Sequence, residues 1–130
     1  MYMVAFCYPN GEARKFDYDH LVNRHLPLGV GLTHKHLGIK PLKIVAYCPV
    51  HGADNKEDSS PYSAITNVYF EKKEEAEKFL GLFDVEEAAR LLSEDFPNYT
   101  PGPPSVLMAK VSEITDMNAL IDQFAQTQQQ

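Results

Sequence analysis

The chain of 130 residues is 44% hydrophobic, which is enough apolar material to build the core of one domain. Its formal net charge of −6, without a cluster of lysine and arginine, argues against a nucleic-acid partner. The apolar runs are too short to span a bilayer and no secretory signal begins the sequence, so we expect a cytoplasmic protein with no membrane partner.

The first predicted elements are a strand and a helix. Residues 2–8 are rich in aromatic and apolar side chains and run into a proline–asparagine–glycine turn signal, which predicts a buried strand. A helix should begin at Asp17, whose carboxylate can accept hydrogen bonds from the first free amides. Pro27 has no amide hydrogen and should push Leu26 out of the helical region, so we expect a break there before a further helical segment ending at Gly38.

The middle of the chain predicts two more strands. Residues 42–50 alternate and are rich in isoleucine, valine and tyrosine, which favours a second strand. The polar residues 51–61 predict an exposed loop, and residues 62–70 predict the third strand.

The last third of the chain begins with a second helical region. The apolar period changes from two to about four residues after Glu71, which indicates a helix that Gly81 interrupts and that Asp84 should cap anew. Residues 105–111 predict the fourth strand, and Asp116 should cap a short amphipathic helix near the end of the sequence.

The element order β-α-β-β-α-β predicts an α+β protein with a ferredoxin-like antiparallel sheet and both helical regions on one face. Successive strand residues such as Val4 and Ala5 are both apolar, so the helix-free face should also be covered. A second copy of the chain would cover it and form a dimeric α+β barrel. We assign the ferredoxin-like domain to residues 1–112 and a C-terminal helix with a disordered tail to residues 113–130.

Several histidines crowd the first helical region, but their spacing does not suit a metal site. On a helix, two metal ligands need a separation of three or four residues to share a face, whereas successive histidines here are five, nine and two residues apart. We therefore predict no metal. Three of these histidines are expected on the solvated polar face: His20, His34 and His36.

His25 lies where the first helix is expected to break. A helix end favours the protonated imidazole, whereas an apolar pocket favours the neutral ring, which alone can act as a base. Two roles remain open for His25, general acid–base catalysis and capping of the helix.

Four short motifs occur in one order along the chain: Tyr8-Pro9-Asn10-Gly11, Phe16-Asp17-Tyr18, His25-Leu26-Pro27-Leu28 and Asp95-Phe96-Pro97-Asn98-Tyr99-Thr100. Over roughly residues 2–111 the chain thereby resembles the EthD-like family of the dimeric α+β barrel superfamily. The resemblance implies a dimeric barrel and carries the family's His-x-Pro histidine onto His25. The superfamily includes cofactor-free monooxygenases, muconolactone isomerase, polyketide cyclases and haem-degrading enzymes, so the fold does not by itself imply the reaction.

The strands supply further candidates for a site. Asn67 and Tyr69 share one face of the third strand by alternation, and their polar groups could polarise an oxygen of a bound molecule. The family often has a polar residue, frequently histidine, in this strand. The other expected ligand-binding residues are Tyr8, Tyr47, Ile65 and Met108.

The sequence contains no glycine-rich nucleotide loop and no Cys-x-x-Cys pair, so we predict no cofactor. The first hypothesis is a homodimeric, cofactor-independent enzyme of the oxygenase, isomerase or dehydratase type. It would act by proton transfer on a small apolar molecule, aromatic or polyketide-like, with His25 exchanging the proton while Asn67 and Tyr69 polarise an oxygen. The alternative is a non-catalytic protein of the same fold that binds such a ligand.

Overall fold

The computed structural model of the chain describes residues 1–11, 16–56 and 59–129. The loop predicted at residues 51–61 is therefore described without residues 57 and 58, and the predicted tail without residue 130. The predicted strands and helical regions lie inside the described ranges, so each can be compared with the structure.

Within these ranges the elements follow the predicted order. The strands are β1 (Tyr2–Pro9), β2 (Lys43–Tyr47), β3 (Tyr62–Phe70) and β4 (Ser105–Lys110). The helical segments are α1 (Tyr18–His20), a π turn (Leu21–His25), α2 (Leu26–Leu37), α3 (Lys73–Leu80), α4 (Glu86–Asp95) and α5 (Met117–Gln128), with short 3-10 turns at Gly81–Asp84 and Phe96–Asn98.

The four strands form one antiparallel sheet in the order β2-β3-β1-β4, which confirms the ferredoxin-like α+β fold. β1 and β2 are not neighbours in the sheet, and Cys7 on β1 is a buried free cysteine. β2 ends at Tyr47, earlier than predicted, because Pro49 has no amide hydrogen to donate to the strand ladder.

One face of the sheet lies under the helices and the other is bare. On the covered face, Val4 of β1 and Val68 of β3 pack against Ala76 of α3. On the bare face, Leu107 of β4 is 59% exposed and Tyr47 of β2 is 48% exposed. The helix-free face therefore presents apolar side chains at the surface of the single chain.

The first helical region runs through Pro27 without a break. The prediction that Pro27 forces Leu26 out of the helical conformation is wrong, because Leu26 has φ −63° and ψ −45° and its amide donates to the carbonyl of Leu21 five residues before it. Pro27 lies just after the π turn, where the hydrogen-bond pattern of the helix changes from i→i+5 back to i→i+4 and a residue without an amide hydrogen can be accommodated. Asp17 caps the start, as predicted, by accepting from the amide of His20 at 3.0 Å.

The second helical region is interrupted at Gly81, as predicted, but its continuation starts one residue later than expected. Asp84 was expected to cap α4, and this is wrong: the N-cap is Val85, which makes no side-chain cap, and Asp84 ends a 3-10 turn. That turn buries Leu82 against Leu32 of α2, and the Val85 amide donates to the Leu82 carbonyl. Packing of Leu82 therefore sets where α4 begins.

α5 begins where the sequence predicts, with Asp116 accepting from the amide of Ala119 at 3.0 Å. Its large apolar side chains point outward: Leu120 is 44% exposed, Ile121 61% and Phe124 64%. No helix in the described part of the chain has both the length and the apolar character needed to cross a membrane.

Replacing Gly38 by alanine should lower the free energy of unfolding by about 1 kcal/mol, because Gly38 ends α2 with φ 68°, a conformation that strains residues with a Cβ. Urea unfolding followed by circular dichroism measures this change. Gly31→Ala in the same helix is the matched control, since the added methyl group meets nothing within 4 Å, and it should raise the free energy of unfolding by up to about 1 kcal/mol. Changes of the same sign in both variants would contradict the assigned helix end.

Candidate functional site

His25 is held at the end of the π turn with its ring almost fully buried. The residue is 7% exposed, and its Nδ1 atom lies 2.9 Å from Oδ2 of Asp95 at the end of α4. The rings of Phe96 and Tyr99 pack against it with centroid separations of 5.3 and 4.7 Å. One carboxylate and two aromatic rings thus fix the imidazole, while Nε2 has no protein partner among the described residues.

The second oxygen of the same carboxylate binds His20. Nε2 of His20 lies 2.8 Å from Oδ1 of Asp95, and its ring stacks on Tyr99 at an interplanar angle of 14°. The expectation that His20 is simply solvated is wrong. On a regular α-helix, positions five residues apart point in different directions, but the i→i+5 bonding of a π turn brings them to the same side. The π turn is what lets His20 and His25 share one carboxylate.

Among the described residues, the carboxylate of Asp95 has three side-chain partners. In addition to the two histidines it accepts a hydrogen bond from Nδ2 of Asn98 at 3.0 Å. Burial by itself would raise the pKa of Asp95, but hydrogen bonds from Asn98, His20 and His25 outweigh burial and hold the pKa below its ordinary value. Asp95 is therefore charged at neutral pH and can stabilise positive charge on either ring.

The environment of His25 favours the neutral ring. Burial lowers the pKa of His25, and the hydrogen bond and charge of Asp95 raise it without cancelling that effect, while the nearby His20 lowers it further. The pKa thus lies below the ordinary histidine value of about 6.5. Of the two influences weighed from the sequence, only the apolar pocket applies, because the helix does not end at His25 but continues to Leu37. His25 can therefore act as a base at neutral pH.

A cavity of about 240 Å³ lies between the sheet and the helices, and His25 is part of its wall. Most of the wall is apolar, with Phe6 and Val68 from the sheet and Phe79 from α3 among its residues. The polar side chains among the described lining residues are Tyr8, His25, Thr33 and Thr66. A small apolar cavity with a few polar groups is the usual form of a site for a small organic ligand.

The structure does not bring the three predicted catalytic residues together. His25 faces the cavity, whereas Asn67 and Tyr69 point to the helix-free face, because they alternate with Thr66 and Val68 on β3. On that face Nδ2 of Asn67 lies 3.5 Å from the Tyr69 hydroxyl. The sheet therefore separates both side chains from a molecule held beside His25 in the same chain.

The predicted ligand-binding residues are divided in the same way. Tyr8 lines the cavity, and Met108 packs into the core cluster next to it without lining the cavity. Ile65 and Tyr47 are paired across β3 and β2 on the helix-free face. Of the four, only Tyr8 is in contact with the cavity beside His25.

The sequence interpretation missed Asp95 and Thr66. Asp95 opens one of the four motifs of the family resemblance, so a signal was present, but nothing in its spacing from His25 indicates a contact across 70 residues. Thr66 precedes Asn67 on β3 and points to the opposite face. It shares that face with the buried Val68 two residues later, which is the signal that could have identified it.

The remaining histidines of this region take no part in the cavity. His36 lies with Lys35 beside the carboxylate of Glu87 on the surface of α4, and His34 is exposed. Within the described ranges no group of three histidine, cysteine, aspartate or glutamate side chains is arranged to hold a metal ion.

The comparisons with known proteins support the fold. No family model and no curated protein matches the sequence. An EthD-like protein from Ralstonia eutropha JMP134 has a similar structure, with a TM-score of 0.65 and 18% identity over 89% of this chain and 96% of that one. An ethyl tert-butyl ether D (EthD) family protein from Bacillus halodurans C-125 matches with a TM-score of 0.55 and 16% identity over 86% of this chain and 99% of that one.

A third solved structure, of a protein from Arabidopsis thaliana, matches with a TM-score of 0.50 and 12% identity over 88% of this chain and 97% of that one. Identities this low show a common fold and nothing finer. At that level the predicted resemblance is confirmed.

Replacing Asp95 by asparagine should lower the pKa of His25 further, because Asp95 supplies the hydrogen bond and the negative charge that raise it. Proton NMR of the imidazole Cε1–H signals across the acid and neutral range measures the pKa. Asp84→Asn removes an exposed carboxylate from the 3-10 turn and serves as the control, with the pKa of His25 unchanged. A His25 pKa that is the same in Asp95→Asn and wild type would contradict the assigned contact.

The same substitution should lower the free energy of unfolding at neutral pH by about 1–2 kcal/mol, since it removes a hydrogen-bonded charge. The folded pKa of Asp95 is depressed, so its stabilisation is present above the unfolded value of about 3.9 and is lost as the pH falls through the folded value. Denaturant unfolding at pH 7 and at pH 3 should therefore show the difference between wild type and Asp95→Asn shrinking at the lower pH.

Proposed function

We propose that this chain, which has the fold of EthD-like proteins, is a homodimeric, cofactor-independent enzyme that moves a proton on a small apolar molecule. The molecule is aromatic or polyketide-like, and the reaction is of the oxygenase, isomerase or dehydratase type. The observation that carries the proposal is the position of His25, which lines an apolar cavity while Asp95 holds its Nδ1 atom at 2.9 Å.

The chemistry follows from that arrangement. With the proton of the neutral ring on Nδ1, donated to Asp95, the lone pair of Nε2 is free to accept a proton from an acidic carbon or hydroxyl of the substrate. The C–H or O–H bond breaks, its electrons stay on the substrate, and the imidazolium that forms is stabilised by the Asp95 carboxylate. Return of the proton to another atom of the substrate completes an isomerisation or assists the loss of water.

The apolar walls strengthen this arrangement in two ways. They lower the pKa of His25, so the base is already neutral at pH 7. They also exclude water that would compete for the lone pair of Nε2. The second effect needs the cavity to be filled by a ligand of matching, mostly apolar surface.

The proposed homodimer rests on the bare face of the sheet. Leu107 and Tyr47 are exposed there, and Oδ1 of Asn67 is buried on this face without a hydrogen-bond partner among the described residues. A second copy of the chain would cover the apolar side chains and could bring a donor to Asn67. The family resemblance implies the same pairing of two sheets.

A ligand-binding protein without turnover is the second candidate function. It is favoured by the position of Asn67 and Tyr69 on the other face of the sheet, which leaves a molecule beside His25 without the two groups that were expected to polarise its oxygen. The two candidates differ in whether protons of a bound molecule are exchanged.

Replacing His25 by glutamine or alanine should abolish proton transfer to and from a bound molecule. The probe is 2-tetralone, a two-ring ketone with acidic α-hydrogens, and proton NMR in deuterium oxide follows their exchange for deuterium. Loss of the general base should slow the catalysed exchange at least about 100-fold, with binding of the probe retained. His34→Ala changes an exposed histidine of α2 and should exchange at the wild-type rate.

The wild-type exchange rate should rise with pH to a plateau whose midpoint lies below about 6.5, because the pKa of His25 is depressed and the base is the neutral ring. Binding of 2-tetralone without exchange above the buffer rate would favour the ligand-binding protein. Equal exchange by wild type and His25→Gln would overturn the role of His25.

Replacing Leu107 by glutamate should convert the proposed dimer to monomers, because Leu107 is 59% exposed on the face that the second copy would cover and a charge there would be buried on pairing. Sedimentation at micromolar concentration measures the mass of both proteins. Asn23→Glu makes the same charge change on an exposed position of the π turn and should leave the dimer intact. A wild-type protein that sediments as a monomer would contradict the proposal.

A further inference from the structure

We propose that Thr66 binds an oxygen atom of the substrate, so that the cavity selects carbonyl compounds whose acidic hydrogen can reach His25. The inference deepens the proposed function and rests on the same cavity. It adds a residue that neither the sequence interpretation nor the comparisons identify, and it names the substrate class as enolisable ketones and closely related phenols.

The first observation is an unsatisfied hydroxyl. Thr66 is 1% exposed, and its Oγ1 atom has no hydrogen-bond partner among the described residues. Two other threonines are equally buried, but both are satisfied: Oγ1 of Thr33 donates to the Gly29 carbonyl at 2.7 Å, and Oγ1 of Thr100 donates to the Gly102 carbonyl at 2.8 Å. A buried hydroxyl without a partner is destabilising, so its presence here calls for a partner that the chain itself does not supply.

The second observation is the location of Thr66. It lies on β3, paired with Phe6 of β1 on one side and Ala46 of β2 on the other. The strand pairings on both sides occupy the neighbouring backbone carbonyls with hydrogen bonds, so no local acceptor remains for the Thr66 hydroxyl. On a helix, by contrast, a threonine hydroxyl can donate to the carbonyl four residues earlier, as Thr33 does. Thr66 is on the helix-facing side of the sheet and lines the same cavity as His25.

A second hydroxyl group at this cavity also has a hydrogen that is not used in the hydrogen bond it makes. The hydroxyls of Tyr8 and Tyr99 are 3.1 Å apart and make one hydrogen bond with each other, although the pair carries two hydrogens. Burial raises the pKa of Tyr8 to about 12, against the opposing effect of its bond with Tyr99, so Tyr8 keeps its proton. Tyr8 lines the cavity, and it can orient its hydroxyl towards a ligand oxygen.

These groups define the kind of molecule that fits. Hydroxyl donors at the wall favour a ligand oxygen that accepts hydrogen bonds, such as a ketone, while Nε2 of His25 requires a hydrogen that can leave as a proton. When that hydrogen is taken from the carbon next to a ketone, the C–H bond breaks, its electron pair forms the enolate, and negative charge develops on the oxygen. Thr66 would donate to that oxygen throughout the step.

The test compares two probes that differ by the oxygen, 2-tetralone and the hydrocarbon tetralin. Their affinities are measured by NMR titration for wild type, Thr66→Val and Thr66→Ser. Wild type should prefer 2-tetralone, and Thr66→Val, which keeps the shape but lacks the hydroxyl, should bind it roughly tenfold more weakly while binding tetralin unchanged. Thr66→Ser keeps the hydroxyl and should keep the preference.

Stability provides an independent measurement on the protein without ligand. Thr66→Val removes an unsatisfied buried hydroxyl and replaces it by a methyl group of similar size, so it should raise the melting temperature. A lower melting temperature would show that the hydroxyl has a partner within the folded protein and would overturn the inference. Equal loss of affinity for both probes, no loss for either, or no preference of wild type for 2-tetralone would also overturn it.

The outcome can be separated from that of the proposed function, because binding preference needs no turnover. If Thr66→Val loses the preference for the ketone while wild type exchanges no protons, Thr66 binds the oxygen in a ligand-binding protein. If His25 catalyses exchange and Thr66→Val keeps the wild-type preference for the ketone, the proposed enzymatic function is supported and the proposed role of Thr66 is contradicted.

Discussion

The carboxylate of Asp95 is the interaction on which the arrangement of the helices beside the cavity depends. It joins the end of α4 to two histidines that lie 70 and 75 residues earlier in the sequence. A partly buried charge of this kind is stable only when its oxygens are hydrogen-bonded, and here the two histidines and Asn98 provide the donors. The position of the first helical region over the sheet and the orientation of the His25 ring are therefore determined together.

Two adjacent residues of β3 present polar side chains to opposite faces of the sheet. Thr66 and Asn67 follow each other, each has a buried side-chain oxygen without a described hydrogen-bond partner, and their side chains point to opposite faces. One oxygen is next to the cavity and the other lies on the face open to a second copy. In our proposals the substrate satisfies the first and the partner chain the second, so a central strand serves binding on both sides.

Much of the fold could be predicted from the sequence, because strand alternation, the cap at Asp17 and the glycine at the end of α2 are local signals. The site was harder to predict. His25 was found through its place before Pro27, but its contact with Asp95 depends on how two distant helices pack. Asn67 was predicted to act on the same molecule as His25, which the structure does not support. Alternation along a strand shows which residues share a face, but it leaves open which of the two faces the helices cover.

The π turn also has a consequence for the length of the first helical region. Its wider turn holds one residue more than an α-helix would need, so the chain from Tyr18 to Leu37 behaves as a regular helix with a single inserted residue. Deleting one residue between positions 21 and 25 would restore a regular helix and leave α2 in nearly the same orientation relative to α1, because a π turn takes up its extra residue without rotating the helix beyond it. A chain that lacks the extra residue should therefore present the same side of α2 to the sheet, with the positions of His20 and His25 four residues apart on one face of a regular helix.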